Sequence, residues 1–187
     1  MRARMSIIRS GFQVEHREVL LRDRPIQMME ISPKGTVPVL LLVDGTVIEE
    51  SLEIMEHVLP WKLSQNDREW VTRNDIEFKY HLDRYKYSKR YDNEDPEFHR
   101  KKCLKFIESI NNELKNSEYI FDDNISYADI VLLPFMRQFR IADMEWFDSL
   151  PYDNLKKWLS SFLESSLLNS IMKKYDLWKE GDKSIVF

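Results

Sequence analysis

Apolar residues change their spacing several times along the first sixty positions, and each change marks an element. Residues 1–10 carry a helical spacing that ends at Gly11, a residue suited to the left-handed conformation after a last helical turn. Val14 to Leu21 reads as a strand, and Asp23 to Ile31 as an irregular or short helical connection with Pro25 near its start. Val37 to Val43 and Thr46 to Ile48 are the arms of a hairpin closed by Asp44-Gly45. Ser51 to Leu59 is a helix that stops near Pro60, because the residue before a proline is pushed out of the helical region. The polar stretch that follows reads as a linker, so the division expected is residues 1–60, a linker over 61–66, and residues 67–187.

From Asp67 onward the pattern predicts helices and no strand. Val71, Phe78, Leu82 and Tyr85 recur on one helical face, while Tyr80, Arg84, Tyr87 and Tyr91 fall nearly opposite, which predicts a sandwiched helix. Pro96 begins the next helix, whose stripe is Cys103, Ile107, Ile110 and Leu114. Ser126 reads as an N-cap with Asp129 at the third helical position, and Ile125 and Ile130 form the accompanying hydrophobic staple. Such a cap is a folding device worth about 1 kcal/mol. Pro134 predicts a kink in that helix. The last helices run from Leu155 to Leu163 and from Leu167 to Tyr175, with Trp158 and Phe162 packing inward and Trp178 covering the end.

Composition narrows the function classes. With 187 residues, 43% hydrophobic, the chain can fill one core or two small ones. A formal net charge of −4 gives no field for a polyanion, and the basic clusters Lys86 to Arg90 and His99 to Lys102 lie inside charge-mixed helices, which speaks against nucleic acid as a partner. No run approaches the roughly 18 apolar residues of a membrane span. Met1-Arg2-Ala3-Arg4-Met5 has the charges of a signal peptide, but Arg9 and Ser10 interrupt any apolar region after it. The single cysteine, Cys103, cannot form an internal disulfide and points to a reducing compartment, the cytoplasm. Set in a core stripe, it reads as a small buried hydrophobe. His16, His57, His81 and His99 show no ligand spacing of the zinc kind, so no metal site is expected.

Pro33-Lys34-Gly35-Thr36-Val37-Pro38, the Asp44-Gly45 hairpin and Glu50-Ser51 opening a helix together resemble the thioredoxin-like domain of cytosolic glutathione transferases. The all-helical remainder with its Ser126-x-x-Asp129 capping box fits the same family. Phe78 to Tyr87, Phe147-Asp148, Pro151-Tyr152, Trp158-Leu159 and Lys174-Tyr175 with Trp178 are similar to a bacterial omega-like subgroup. The resemblance implies a thioredoxin-like N-terminal domain, an all-α C-terminal bundle, glutathione as cosubstrate, an electrophile or disulfide as second substrate, and a homodimer. It also implies site residues. Glu50 would take the γ-glutamyl amine, and the Ser51 hydroxyl with the amides of its helix would take the adjoining carboxylate. Taken alone, Glu50 is equally a solvated strand end and Ser51 an N-cap. Pro38 would be cis, leaving the backbone of Val37 to pair with the cysteinyl unit as a short antiparallel strand. Lys34 is either the partner of the glycyl carboxylate or a turn lysine without one.

One departure stands out. The family places a strand before its first helix and a sulfur-activating residue at their junction, a Cys-Pro cysteine in omega-like members, whereas Met1 already lies in the first helix. The resemblance therefore implies that roughly ten residues and a central strand are missing, which would leave the strands at 14–21 and 37–43 with unpaired backbone groups at about 1 to 3 kcal/mol each. Ser6 and Ser10 lie too far along the helix to replace the nucleophile, so no residue is assigned as catalytic. A truncated or misassigned start and a non-catalytic remnant both fit. Function is accordingly read as glutathione binding with thiol transfer or conjugation if an upstream cysteine exists, or as a catalytically silent module that binds a protein partner. The face of Tyr80, Arg84, Tyr87 and Tyr91 would line either an apolar cosubstrate cleft or a dimer interface.

Overall fold

Gly11 ends the first helix as its position predicts: at φ 70° and ψ 15° it is left-handed, and its N–H bonds back to the carbonyl of Ile8. The computed structural model describes residues 1–187, beginning with this helix, α1 (Arg2–Ser10). There follow β1 (Glu15–His16), α2 (Ile26–Ile31), β2 (Leu40–Leu41), β3 (Val47–Ile48) and α3 (Ser51–Val58). β2 and β3 pair antiparallel, Leu40 opposite Ile48 and Leu41 opposite Val47. Their connection is the expected one: the Asp44 carboxylate accepts the Thr46 N–H at 2.9 Å, and Gly45 sits at φ 88°. Leu59, extended ahead of Pro60 at φ −77° and ψ 136°, stops α3. Helices α1 and α3 pack on each other, burying Met5, Ile54, Met55 and Val58. Each such side chain contributes about 1.5–3 kcal/mol of burial.

Leu63–Ser165 form a separate helical unit. It contains α4 (Gln65–Thr72), α5 (Lys79–Lys86), α6 (Pro96–Glu113), α7 (Tyr127–Ala142), α8 (Met144–Ser149) and α9 (Asp153–Glu164). Between α4 and α5 the backbone is π-helical over Arg73–Phe78, and this moves the buried face. The buried residues are Trp70, Asn74, Phe78 and Leu82, in steps of four, and not Val71. Repeated steps of four drift by about 40° each around an α-helix, and the wider π turn offsets that drift. The Cys103, Ile107, Ile110 and Leu114 stripe is buried as its spacing predicts. α7 runs on through Pro134.

Two reciprocal caps organise this unit. Ser64 and Asp67 cap α4, and Ser126 and Asp129 cap α7, each pair exchanging side-chain and backbone bonds. The other oxygen of Asp67 accepts the N–H of Ala128 at 3.1 Å, tying the start of α4 to the start of α7. Asp129 is fully buried and does more than cap. Its Oδ2 accepts from the Ser126 N–H and hydroxyl at 2.7 and 2.6 Å, and its Oδ1 from the Ile120 N–H at 3.0 Å and the Trp158 indole at 2.7 Å. Burial raises its pKa, while the bonds from Ile120, Ser126 and Trp158 act against that rise.

Residues 166–187 do not continue the bundle; Met1–Lys62 and Ser166–Phe187 make up one unit. The segment comprises α10 (Ser166–Ile171), which packs on α1, and β4 (Ile185–Val186). β4 pairs antiparallel with β1, Glu15 opposite Val186 and His16 opposite Ile185. Val14 and Phe187 exchange backbone bonds, and the Trp178 N–H bonds the Glu18 carbonyl at 2.9 Å. Two expectations change here. The 14–21 strand is shortened to Glu15–His16 with isolated bridges at Glu18 and Leu20, and one of its edges is filled by the far end of the chain and not left unpaired. The expected 67–187 division also differs, since Ser166–Phe187 group with Met1–Lys62, and Arg4 joins α1 to the Ile171 carbonyl at 3.2 Å and to Glu18 at 2.8 Å.

Replacing Asp129 with Ala orphans two buried donors, the Ile120 N–H and the Trp158 indole, at about 1–3 kcal/mol each. We expect a loss of about 3 kcal/mol or more, read as a lower urea midpoint with an unchanged slope; a wild-type midpoint would contradict this.

Candidate ligand-binding site

The turn between α2 and the hairpin is built around three residues with little freedom. Ser32 closes α2 and is fully buried. Gly35 lies at φ 61° and bonds back to the Ser32 carbonyl at 3.0 Å. The Val37-Pro38 bond is cis. Val37 itself is 50% exposed and precedes the β2–β3 ladder, which begins at Leu40. A residue outside a ladder leaves its N–H and C=O open to a peptide ligand.

The second half of the site is the start of α3. Glu50 occupies the N-cap position in extended conformation at φ −99° and ψ 137°, with no side-chain cap bond, and Ser51 is the first helical residue. Ser51 is therefore not the N-cap that local reading allowed. Glu50 is exposed and Ser51 partly exposed, at the end of a helix whose dipole favours an anion. An exposed acid beside a helix N-terminus matches the amine and carboxylate of one α-amino acid.

Two cations reach the turn. Lys34 Nζ pairs with Glu49 Oε2 at 2.7 Å, and the same carboxylate accepts the Ser32 hydroxyl at 2.5 Å through Oε1. The hydrogen bond and charge of Glu49 raise the Lys34 pKa, with Glu50 and Glu53 adding to it. Lys34 thus lies within electrostatic reach of the acids at the start of α3. The Glu49 carboxyl is lowered in turn, by Lys34 first and by Ser32. Arg24 approaches from the other side of the turn, its Nε donating to the Gly35 carbonyl at 2.6 Å. A Cβ on Gly35 would stand 2.8 Å from that Nε. Neither Arg24 nor Glu49 was singled out by sequence reasoning. Arg24 precedes Pro25 with no motif around it, and Glu49 is masked by the adjacent Glu50.

The candidate nucleophiles fall elsewhere. Cys103 is buried, its pKa pushed up to about 12 by desolvation, so its thiol is inert at neutral pH. Ser6 and Ser10 donate to the helix carbonyls of Arg2 and Ile7 at 3.1 and 3.0 Å. No group of three or more His, Cys, Asp or Glu is arranged to hold a metal. In the helical unit, the Arg84 guanidinium lies over Tyr80 and Tyr91 at 3.5 and 4.5 Å and pairs with Glu94, while Tyr87 is stacked by Arg90 at 4.2 Å. A pocket lined by Arg140, Phe147, Asp148, Lys156, Leu159 and Ser160 has its charge already matched, Arg140 gripping Asp148 at 2.8 and 2.7 Å.

Comparison with known proteins gives the family and the fold. Residues 1–64 match the model of the glutathione S-transferase N-terminal domain, and residues 74–166 that of the C-terminal domain. A probable glutathione S-transferase, MSR-1, of Nicotiana plumbaginifolia is 28% identical over 150 residues, covering 74% of this chain and 68% of its own. Glutathione transferase Omega 3C from Trametes versicolor superposes with a TM-score of 0.76 at 18% identity, covering 94% of this chain and 85% of its own. A glutathione S-transferase from Methylobacillus flagellatus, solved with glutathione bound, gives 0.67 at 18% identity, covering 90% and 91%.

Two outcomes are expected. Gly35→Ala adds a left-handed penalty of about 1–2 kcal/mol and displaces Arg24. Its cost should shrink in an Arg24→Ala background, and strict additivity in the double-mutant cycle would contradict the contact. Cys103 should react with a thiol reagent only after the protein is unfolded, and a fast native reaction would show the thiol to be accessible.

Proposed function

The chain belongs to the glutathione S-transferase family, and we propose that the turn at residues 32–38 and the start of α3 hold glutathione in an extended conformation. The fold is a thioredoxin-like N-terminal domain followed by a helical C-terminal domain. The observation that carries the proposal is the half-exposed Val37 ahead of Pro38, in one unit with the exposed Glu50 and the partly exposed Ser51 at a helix start. Val37 pairs its backbone with the cysteinyl unit, and Pro38 shapes the turn that presents it. Glu50 takes the γ-glutamyl amine, and Ser51 with the helix amides takes the γ-glutamyl carboxylate. Of the two cations, Lys34 is engaged by Glu49, which favours Arg24 as the partner of the glycyl carboxylate.

The reaction of this family with an electrophile or disulfide needs a thiolate or hydroxyl that activates or exchanges with the glutathione sulfur. No residue of 1–187 is assigned that step; a cysteine of the omega-like kind would supply it if one precedes residue 1. An omega-like character is in keeping with the likeness to the Trametes enzyme. A homodimer is supported by the exposed apolar residues Ile76, Tyr80 and Phe98 on the helical unit, and a cytoplasmic location by the single, buried cysteine. Burial of that cysteine also favours a second reading, a module that binds glutathione without turning it over and serves a protein partner. Turnover of a thiol-disulfide substrate would exclude the second reading.

The test of binding is calorimetry on Glu50→Ala/Ser51→Ala. Loss of charge-assisted bonds worth about 1.5–3 kcal/mol should weaken glutathione by about tenfold or more, with the melting temperature unchanged. Wild-type affinity in the double variant would remove the proposal.

A further inference from the structure

Glu49 stands between the two halves of the site. It follows β3 directly and stands one residue before Glu50, the N-cap of α3. Its side chain reaches back across the hairpin to the turn before the cis bond. Oε1 accepts the hydroxyl of Ser32, a residue with no solvent exposure, at 2.5 Å, and Oε2 pairs with Lys34 at 2.7 Å. These two bonds tie the turn to the residue just before the cap of α3. A carboxylate whose two oxygens are held by different donors is fixed in orientation as well as position, and charge-assisted bonds of this length are the strong ones.

We propose that Glu49 is a positioning residue for the thiol-peptide ligand: one carboxylate sets the spacing between the Val37 backbone and the Glu50-Ser51 helix start, and so the reach of an extended tripeptide across them. The inference rests on the reading of this site as a glutathione site. A ligand that must bond at both ends and in the middle loses affinity when the spacing is free to drift, because the ordering is then borne on binding. A second consequence concerns charge. Lys34 spends its charge on Glu49 and not on ligand, so Lys34 matters through the turn and Arg24 is left as the cation open to a carboxylate.

Glutathione affinity is measured by calorimetry on wild type, Glu49→Ala, Glu49→Gln, Lys34→Ala and Ser32→Ala/Glu49→Ala, well below each melting temperature. Glu49→Ala is expected to raise the Kd about tenfold. Glu49→Gln, which keeps an acceptor for Ser32, should return to within about threefold of wild type, and Lys34→Ala should weaken binding by no more than about threefold. Adding Ser32→Ala to Glu49→Ala should change nothing further, since the hydroxyl acts through the same carboxylate. A merely structural role would lower melting temperatures and leave the Kd of the folded protein unchanged. Wild-type affinity in Glu49→Ala overturns the inference and leaves the glutathione reading standing. A Lys34→Ala loss as large as that of Glu49→Ala, with tighter binding in Glu49→Gln, also overturns it, because Lys34 would then be a ligand and Glu49 its competitor. Absence of glutathione binding by wild type overturns both readings together.

Discussion

The buried contact between α1 and α3 is the interaction on which the site depends. Met5 from one helix and Ile54, Met55 and Val58 from the other are withdrawn from solvent, and this fixes where α3 begins. The residues that begin it are Glu50, exposed at the N-cap, and Ser51, partly exposed in the first turn, both left open because they stand at the helix end. A binding group at a helix start is only as well placed as the packing of the helix behind it. Glu49 then carries that placement across to the turn at Ser32 and Lys34, so one apolar core positions both the helix dipole and the half-exposed Val37.

The helical unit rests on a different kind of constraint. Its decisive groups are buried carboxylates, Asp67 and Asp129, whose oxygens are taken by backbone amides, hydroxyls and an indole. Such networks stabilise only when every donor is met, and here each carboxylate joins a helix cap to a second element of the same unit. The tail makes a comparable join in the first unit. Val14 and Phe187 exchange backbone bonds while the Phe187 ring packs on His16 at 5.4 Å and on Tyr175 at 6.3 Å, giving a two-residue strand a partner that closes one edge.

Features legible in the sequence were those with local causes. Gly11, Pro60 and the Ser126-x-x-Asp129 cap act within a few residues, and the helix ends they set are found close to their expected bounds, whereas Asp44-Gly45 closes a hairpin whose first arm shortens from the expected Val37–Val43 to Leu40–Leu41. The π-helical stretch was not legible, because one extra residue per turn leaves no mark in composition, and it exchanged Val71 for Trp70 on the buried face. The pairing of residues 14–16 with 185–187 spans nearly the whole chain, and strand propensity names no partner. At the site the same division holds. Val37-Pro38 and Glu50-Ser51 form recognisable dipeptides, whereas Arg24 and Glu49 acquire their roles only when the turn folds back on them.

The measurement that most directly tests the central claim is a titration of the isotope-labelled protein with glutathione, followed through its backbone amide resonances. Saturable shifts are expected at Val37, at Gly35 beside Arg24 and at the first residues of α3 from Ser51, with the amides of Leu63–Ser165 far less affected. A saturable response centred elsewhere, or none at millimolar glutathione, would contradict it.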